Sequence, residues 1–346
     1  MEPQATLNFA SDYLEGAHPA ILDALVRTNL EQTPGYGTDA HCKAAREAIR
    51  AACTCPLAEV HFIVGGTQAN ALLVSTLLAP FEGVIAADTG HIATHEAGAI
   101  EAGGHKVLCL PHHQGKIDAA QVDACAARFW DDGNREHMVA PGMVYLSQPT
   151  EYGTLYTLAE LEAMRAACDC YGMRLYVDGA RLAYGLASPT NDVTLPDLAR
   201  LCDAFYIGGT KCGALIGEAV VFPKPRTIPH FFTLTKQHGA LLAKGRVLGI
   251  QFEQLFSHDL YTKVGRHALE QAQRITDALV ARGYRLYIQT PTNQIFPVLS
   301  EEQYERLSTF VEMSFWERLE NGDTVVRIAT SWATKPEDVD ALIALL

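Results

Sequence analysis

From about residue 20 to 222, short β-rich apolar runs alternate with stretches whose hydrophobic residues recur at helical spacing. The runs fall at 60–64, 83–87, 106–110, 143–147, 174–177, 204–207 and 219–222, nearly all bounded by Gly, Asp or Pro. Such alternation predicts an α/β layer, a parallel sheet with crossover helices. The spacing predicts helices over 69–78, after Gly-Gly-Thr, and over 158–171, after Thr157. Pro223, Pro225 and Pro229 interrupt the pattern, and a helical region over 241–256 then carries the chain out of the large domain. Beyond it come a helix over 269–282, strands near 284–288, 294–298 and 324–329, and a last helix after Pro336, which together read as a smaller α+β domain. The first 15 or so residues carry neither period and are expected to lie as an arm over another part of the chain. The expected division is an arm over 1–19, a large domain over 20–245 and a small domain over 246–346 that the arm completes.

Length agrees with that division, since 346 residues exceed one ordinary core and leave room for a buried site between two domains. With 48% hydrophobic and 19% charged residues, the chain has none of the polar bias of disorder. A net charge of −13 without any Lys/Arg run lacks the footprint needed to neutralise a phosphate backbone, so no nucleic-acid partner is expected. Residues 1–10 hold no basic segment followed by an apolar core, and no uncharged apolar run reaches the length of about 20 that a spanning helix needs. Neither export nor a membrane partner is expected. The nine cysteines are scattered, and Cys53/Cys55 and Cys168/Cys170 have CxC spacing, not the CxxC of zinc sites. They read as reduced, mostly buried thiols of a cytoplasmic protein, with no metal.

Three segments carry candidate chemistry. In 205–213 a β-run delivers Lys211 into a glycine-rich turn, at the edge where parallel sheets place their ligands. A lysine desolvated there can lose its proton and attack a carbonyl to form an imine, although an exposed loop lysine fits the same motif. In 175–181 a strand ends at Asp178, with Arg181 three residues on. Asp178 precedes Lys211 by 33 residues, room for one crossover helix and a strand, so both fit one sheet edge. A carboxylate there can keep a pyridine nitrogen protonated, and it can equally be a helix cap. In 62–70 a strand, a tight turn with Gly66 and Thr67, and a helix start offer backbone N–H groups suited to phosphate, or a purely structural turn. This segment has neither the dinucleotide nor the Walker pattern.

Phosphate cup, pyridinium partner and imine lysine occur in the order and spacing that one cofactor requires. With GGTQAN at 65–70, VDGARL at 177–182 and GGTKCG at 208–213, the chain resembles the fold-type-I pyridoxal-phosphate enzymes of the L-threonine aldolase and β-eliminating lyase group. The resemblance is strongest to the low-specificity L-threonine aldolases and runs from about residue 8 to 340. It implies a mixed, mostly parallel seven-stranded sheet in the large domain and pyridoxal 5'-phosphate held by Lys211 as a Schiff base. It implies retro-aldol cleavage of β-hydroxy-α-amino acids such as threonine, allo-threonine or phenylserine to glycine and an aldehyde. Elimination or racemisation on the same fold is the alternative.

Residue by residue, the resemblance implies that His91 stacks on the pyridine ring and that His137 lies near the substrate hydroxyl, and one of these two histidines, directly or through water, is expected to take the hydroxyl proton. Arg181 and Arg327 would hold the substrate carboxylate, with Ser11 beside it; a guanidinium fork suits a planar carboxylate. For Arg327, inside a short apolar strand, a structural ion pair is the competing reading. Gly66, Thr67 and Thr210 would contact the cofactor, and Lys236 would reach it from a neighbouring subunit, which requires a homo-oligomer, a dimer at least and a tetramer by analogy. One departure lines the site: better-known members carry Glu-Asn-Thr-His-Asn after the fourth strand, whereas this chain has Ser147-Gln148-Pro149-Thr150-Glu151-Tyr152-Gly153.

Overall fold

The computed structural model describes residues 6–346, so the first five residues of the expected arm lie outside the described residues. Seven strands form one sheet in the order Glu59–Ile63, Glu218–Phe222, Ala204–Gly208, Arg174–Asp178, Ala140–Ser147, Glu82–Ala87 and Val107–Leu110. All neighbours pair in parallel except Glu218–Phe222, which runs antiparallel to both of its partners. The sheet is thus mixed and mostly parallel.

Burial on both faces explains the unbroken apolar runs, as expected of strands covered by helices on either side. The period of two then divides each strand between two cores. Val144, Leu146, Phe205 and Ile207 enter one, while Met143, Tyr145, Ala204 and Tyr206 enter the other. Helix Leu158–Tyr171 starts where the sequence predicts, on a reciprocal capping box between Thr157 and Glu160, and stops at Gly172, whose φ of 67° suits glycine.

Two helices differ from expectation. The region over 241–256 is helical only from Arg246 to Leu255, after a turn that ends at Gly245. The helix expected over 269–282 is Leu260–Ala281, one 22-residue rod that packs on both the large sheet's helices and the C-terminal sheet. The C-terminal sheet has four antiparallel strands, Ser314–Arg318, Thr324–Ala329, Gln294–Leu299 and Arg285–Ile288. Its edge strand Ser314–Arg318 escaped the sequence pattern because it is short and half exposed, with Phe315 60% open. Leu7–Asn8 pairs in parallel with Val311–Glu312, and the Ala329 N–H donates to Phe9 O, which ties the N-terminal segment to this sheet and brings Ser11, Asp12 and Tyr13 toward the large one. Among the described residues no helix is long and apolar enough to cross a membrane.

Candidate active site

The parallel strands all end on one side, and the turns that follow them meet there. Glu59–Ile63 leads to Gly65, Gly66 and Thr67, Glu82–Ala87 to His91, and Ala140–Ser147 to Glu151; Arg174–Asp178 leads to Arg181 and Ala204–Gly208 to Lys211. These residues, with Tyr13, Thr210, Tyr206 and Glu218, line a cavity of about 330 Å³. Two glycines let the ends of neighbouring strands come so close. A Cβ on Gly179 would lie 2.1 Å from the Tyr206 carbonyl oxygen, and one on Gly208 would lie 2.3 Å from that of Ala180. The Gly in VDGARL and the first Gly in GGTKCG are therefore steric requirements of the site.

Helix Gly66–Leu77 begins at the cavity wall, and its first intrahelical bond is from the Ala69 N–H to Gly65 O. The N–H groups of Gly66, Thr67 and Gln68 precede that bond, so the helix offers them to an anion. Asp178 is 4% exposed. Its Oδ2 accepts from Tyr145 Oη at 2.6 Å and Asn70 Nδ2 at 3.1 Å, and Oδ1 accepts from the Ala180 N–H at 2.9 Å. Burial would raise its pKa, but the charge of His91 and the hydroxyls of Tyr145 and Tyr206 outweigh that and hold it below the ordinary value. Asp178 therefore stays ionised.

His91 Nδ1 lies 2.7 Å from Glu96 Oε1, which also accepts from Asn70 Nδ2 at 2.7 Å. A carboxylate at Nδ1 assigns the proton to that nitrogen and leaves Nε2 free. Lys211 is half-buried in the cavity wall, and its pKa is lowered first by desolvation and then by the charge of Arg181. That favours the neutral, nucleophilic amine. Beside it, burial pushes Glu218 up to about 8, so this carboxyl is largely neutral at pH 7. An anion cradle at a helix start, an ionised carboxylate, an imidazole and a lysine amine whose charge is disfavoured around one cavity are the set pyridoxal phosphate requires. The residues fit that cofactor.

Arg181 differs from expectation. Its Nε and Nη2 make a bidentate pair with Asp12, at 2.5 and 2.9 Å, and Asn293 Nδ2 donates to the same carboxylate at 2.9 Å. Burial opposes ionisation of Asp12, yet Arg181 and Lys211 hold it at about 2. The fork of Arg181 is thus already engaged. Arg327 is the reverse case. It adjoins a second cavity of about 280 Å³, shared with Tyr13, His91, His95, Lys211 and Trp316. Its partners are Gln294 Oε1 at 3.3 Å, Ala10 O at 3.1 Å and Ser314 Oγ at 3.3 Å, and its Nε is buried without a partner. Among the described residues no carboxylate lies within ion-pair distance, so the structural ion pair is absent. Ser11 Oγ is likewise buried without a partner.

One residue expected at this cavity, His137, is not brought to it. His137 is exposed on the short turn Arg135–His137, just before strand Ala140–Ser147, whereas the cavity lies beyond that strand's other end. An eight-residue strand spans roughly 26 Å, which no side chain bridges. The histidine that the structure supplies instead is His95. Lys236 is exposed on helix Phe231–Gln237, with Nζ 4.5 Å from the centre of the Tyr36 ring, and it lines neither cavity of its own chain.

Sequence reasoning assigned no role to Asp12, Tyr13, Asn70, His95, Glu96, Glu151 or Glu218. Asn70 closes the GGTQAN motif and Glu96 follows His91 by one helical turn or so, and those were the available signals. Asp12 carries none, because its partner Arg181 lies 169 residues away.

The beta-eliminating lyase family matches residues 8–301. A low specificity L-threonine aldolase of Pseudomonas aeruginosa is 31% identical over 97% of this chain and 96% of its own length. One from a Pseudomonas species is 30% identical, with the same two coverages. The solved structure of Leishmania major threonine aldolase is 44% identical, covers 98% of both chains and superposes with a TM-score of 0.95. Aspartate aminotransferase of Thermus thermophilus, at 15% identity and a TM-score of 0.71 over 99% of this chain and 91% of its own, shares the fold. On a match over most of its length, set on a cavity whose residues fit the cofactor, the chain belongs to the beta-eliminating lyase family.

Proposed function

We propose that this protein is a pyridoxal-phosphate lyase that cleaves β-hydroxy-α-amino acids of the threonine type to glycine and an aldehyde. The observation that carries the reading is the pairing of opposites in one site. Arg327 is a half-buried guanidinium without a counter-charge, its Nε enclosed and unpartnered, and it opens on the cavity shared by Lys211 and His91. An uncompensated buried cation costs several kcal/mol unless an anion joins it, and an amino-acid carboxylate is such an anion.

The roles follow from the geometry. Gly66 and Thr67 receive the phosphate at the helix start, with Thr210 and Lys211 on the same wall. Asp178, kept ionised by its donors, would hold a proton on the cofactor's pyridine nitrogen, and His91, fixed at Nδ1 by Glu96, would pack against its ring. Lys211 supplies the amine that attaches the cofactor. Pyridoxal phosphate, once bound, supplies the electron sink for the bond that breaks. Arg327 grips the substrate carboxylate with Ser11 beside it, and Arg181, paired with Asp12, braces the site and adds positive charge. Gripping the carboxylate sets which Cα bond stands across the ring, and so selects Cα–Cβ cleavage. A cytoplasmic location and a homotetramer complete the proposal. The exposed position of Lys236, away from its own cavity, supports a contribution to a neighbouring subunit.

The deciding experiment incubates the cofactor-loaded protein with L-threonine, L-allo-threonine and phenylserine and assays products. Aldehyde and glycine in equal amounts are expected. Pyruvate-type keto acid with ammonia, or inverted amino acid alone, would move the function to elimination or racemisation.

Arg327→Leu gives a two-sided prediction. The KM for threonine should rise on the order of 10- to 100-fold, the worth of a charge-assisted hydrogen-bond pair. The cofactor-free protein should meanwhile resist urea better, by about 1 kcal/mol, because a partly desolvated charge without a counter-ion is gone. An unchanged KM would show that the carboxylate is held elsewhere.

A further inference from the structure

The turn in which this chain departs from the better-known aldolase pattern places one carboxyl group at the junction of both cavities. Glu151 Oε1 accepts from Ser147 Oγ at 2.6 Å and from the His91 N–H at 2.9 Å. Both recorded partners take Oε1, which leaves Oε2 to the cavities that Glu151 lines. Among the described residues no lysine or arginine lies within ion-pair distance of it. The titratable groups around it are His91 and His95 from the segment after Glu82–Ala87, Asp178 and Arg181 from the end of Arg174–Asp178, Lys211, and Arg327 from the C-terminal sheet. Tyr145 approaches from within its own strand.

We propose that Glu151 is the base that takes the β-hydroxyl proton of the substrate, through Oε2. This rests on the aldolase reading above. The O–H pair becomes the second bond of the aldehyde carbonyl as Cα–Cβ breaks, and the pair from the broken bond stays with the glycine fragment, which regains a proton at Cα. One proton moves from oxygen to carbon, and no other reactant is needed. Two features favour Glu151 over the histidines. His91, although its Nε2 is free, is assigned to the face of the cofactor ring, whereas Glu151 is held through Oε1 alone and lines both cavities. Burial also raises its pKa toward the range where a carboxylate is an effective base. His95 is shifted the opposite way, by burial first and then by His91, Arg327 and Lys211.

Glu151→Gln preserves both anchoring acceptor contacts through its amide oxygen but cannot accept a proton. The cofactor absorbance band should be unchanged, kcat for threonine cleavage should fall on the order of 100-fold or more, and the acid limb of the kcat/KM profile should disappear. Exchange of the glycine Cα hydrogen in deuterated water, which involves no hydroxyl, should stay within about twofold of wild type, and Glu151→Asp should restore part of the cleavage. Cleavage and exchange falling together would make Glu151 a structural brace and overturn the proposal. Cleavage that persists with its acid limb intact would do so as well. Wild-type protein that exchanges glycine but releases no aldehyde would instead sink the aldolase reading itself.

Discussion

Lys211→Ala should abolish turnover, with kcat down by at least about 10⁴-fold, and remove the visible absorbance of covalently held cofactor. The loss is expected to be confined to chemistry. Lys211 pairs with no carboxylate among the described residues, and burial already disfavours its charge, so an alanine relieves a desolvation penalty and leaves only a small void. Thermal unfolding of the cofactor-free variant should match or exceed wild type. A fall in absorbance and activity without a fall in stability is the signature of a reactive amine. Turnover within about 100-fold of wild type in a clean preparation would remove Lys211 from the mechanism.

The second large effect is expected at Asp178. Asparagine has nearly the same shape, yet it replaces a carboxylate that accepts from Tyr145, Asn70 and the Ala180 N–H with a group that also donates. One of those donors would then face another donor in a dry interior, at a cost of about 1–3 kcal/mol in stability. More serious for function is the lost charge, which no longer holds a proton on the pyridine nitrogen. Asp178→Asn should lower kcat on the order of 10²- to 10³-fold and shift the absorbance of bound cofactor. Because Asp178 titrates below the ordinary carboxylate range, the wild-type protein should show no activity limb from it near neutral pH. Retention of kcat within about threefold, with the spectrum unmoved, would assign the nitrogen another partner.

Much of this site was legible along the chain, for a local reason. Strand, turn and helix start are decided by neighbours in sequence, so the three motifs announced a phosphate cup, a carboxylate and a lysine at strand ends, and a parallel arrangement puts strand ends on one edge. His91 and Arg327 were reached only through resemblance. His137 shows the limit of that route: matching a family histidine in sequence does not say which end of the neighbouring strand, and so which site, its side chain reaches. The reversal of Glu218–Phe222 was equally hidden, since a strand buried on both faces has the same composition in either direction.

What the sequence determined by itself is therefore the α/β layer, the cofactor class and the identity of the groups at its reactive end, because each depends on spacing within a few dozen residues. Only the tertiary structure decided how those groups are charged and engaged. Asp12 meets Arg181 across 169 residues and occupies its fork, Arg327 is left half-buried without a counter-ion, and Glu151 is brought to the walls of both cavities. Protonation and pairing depend on distance in space and on exclusion of water, and neither quantity is written in the order of residues.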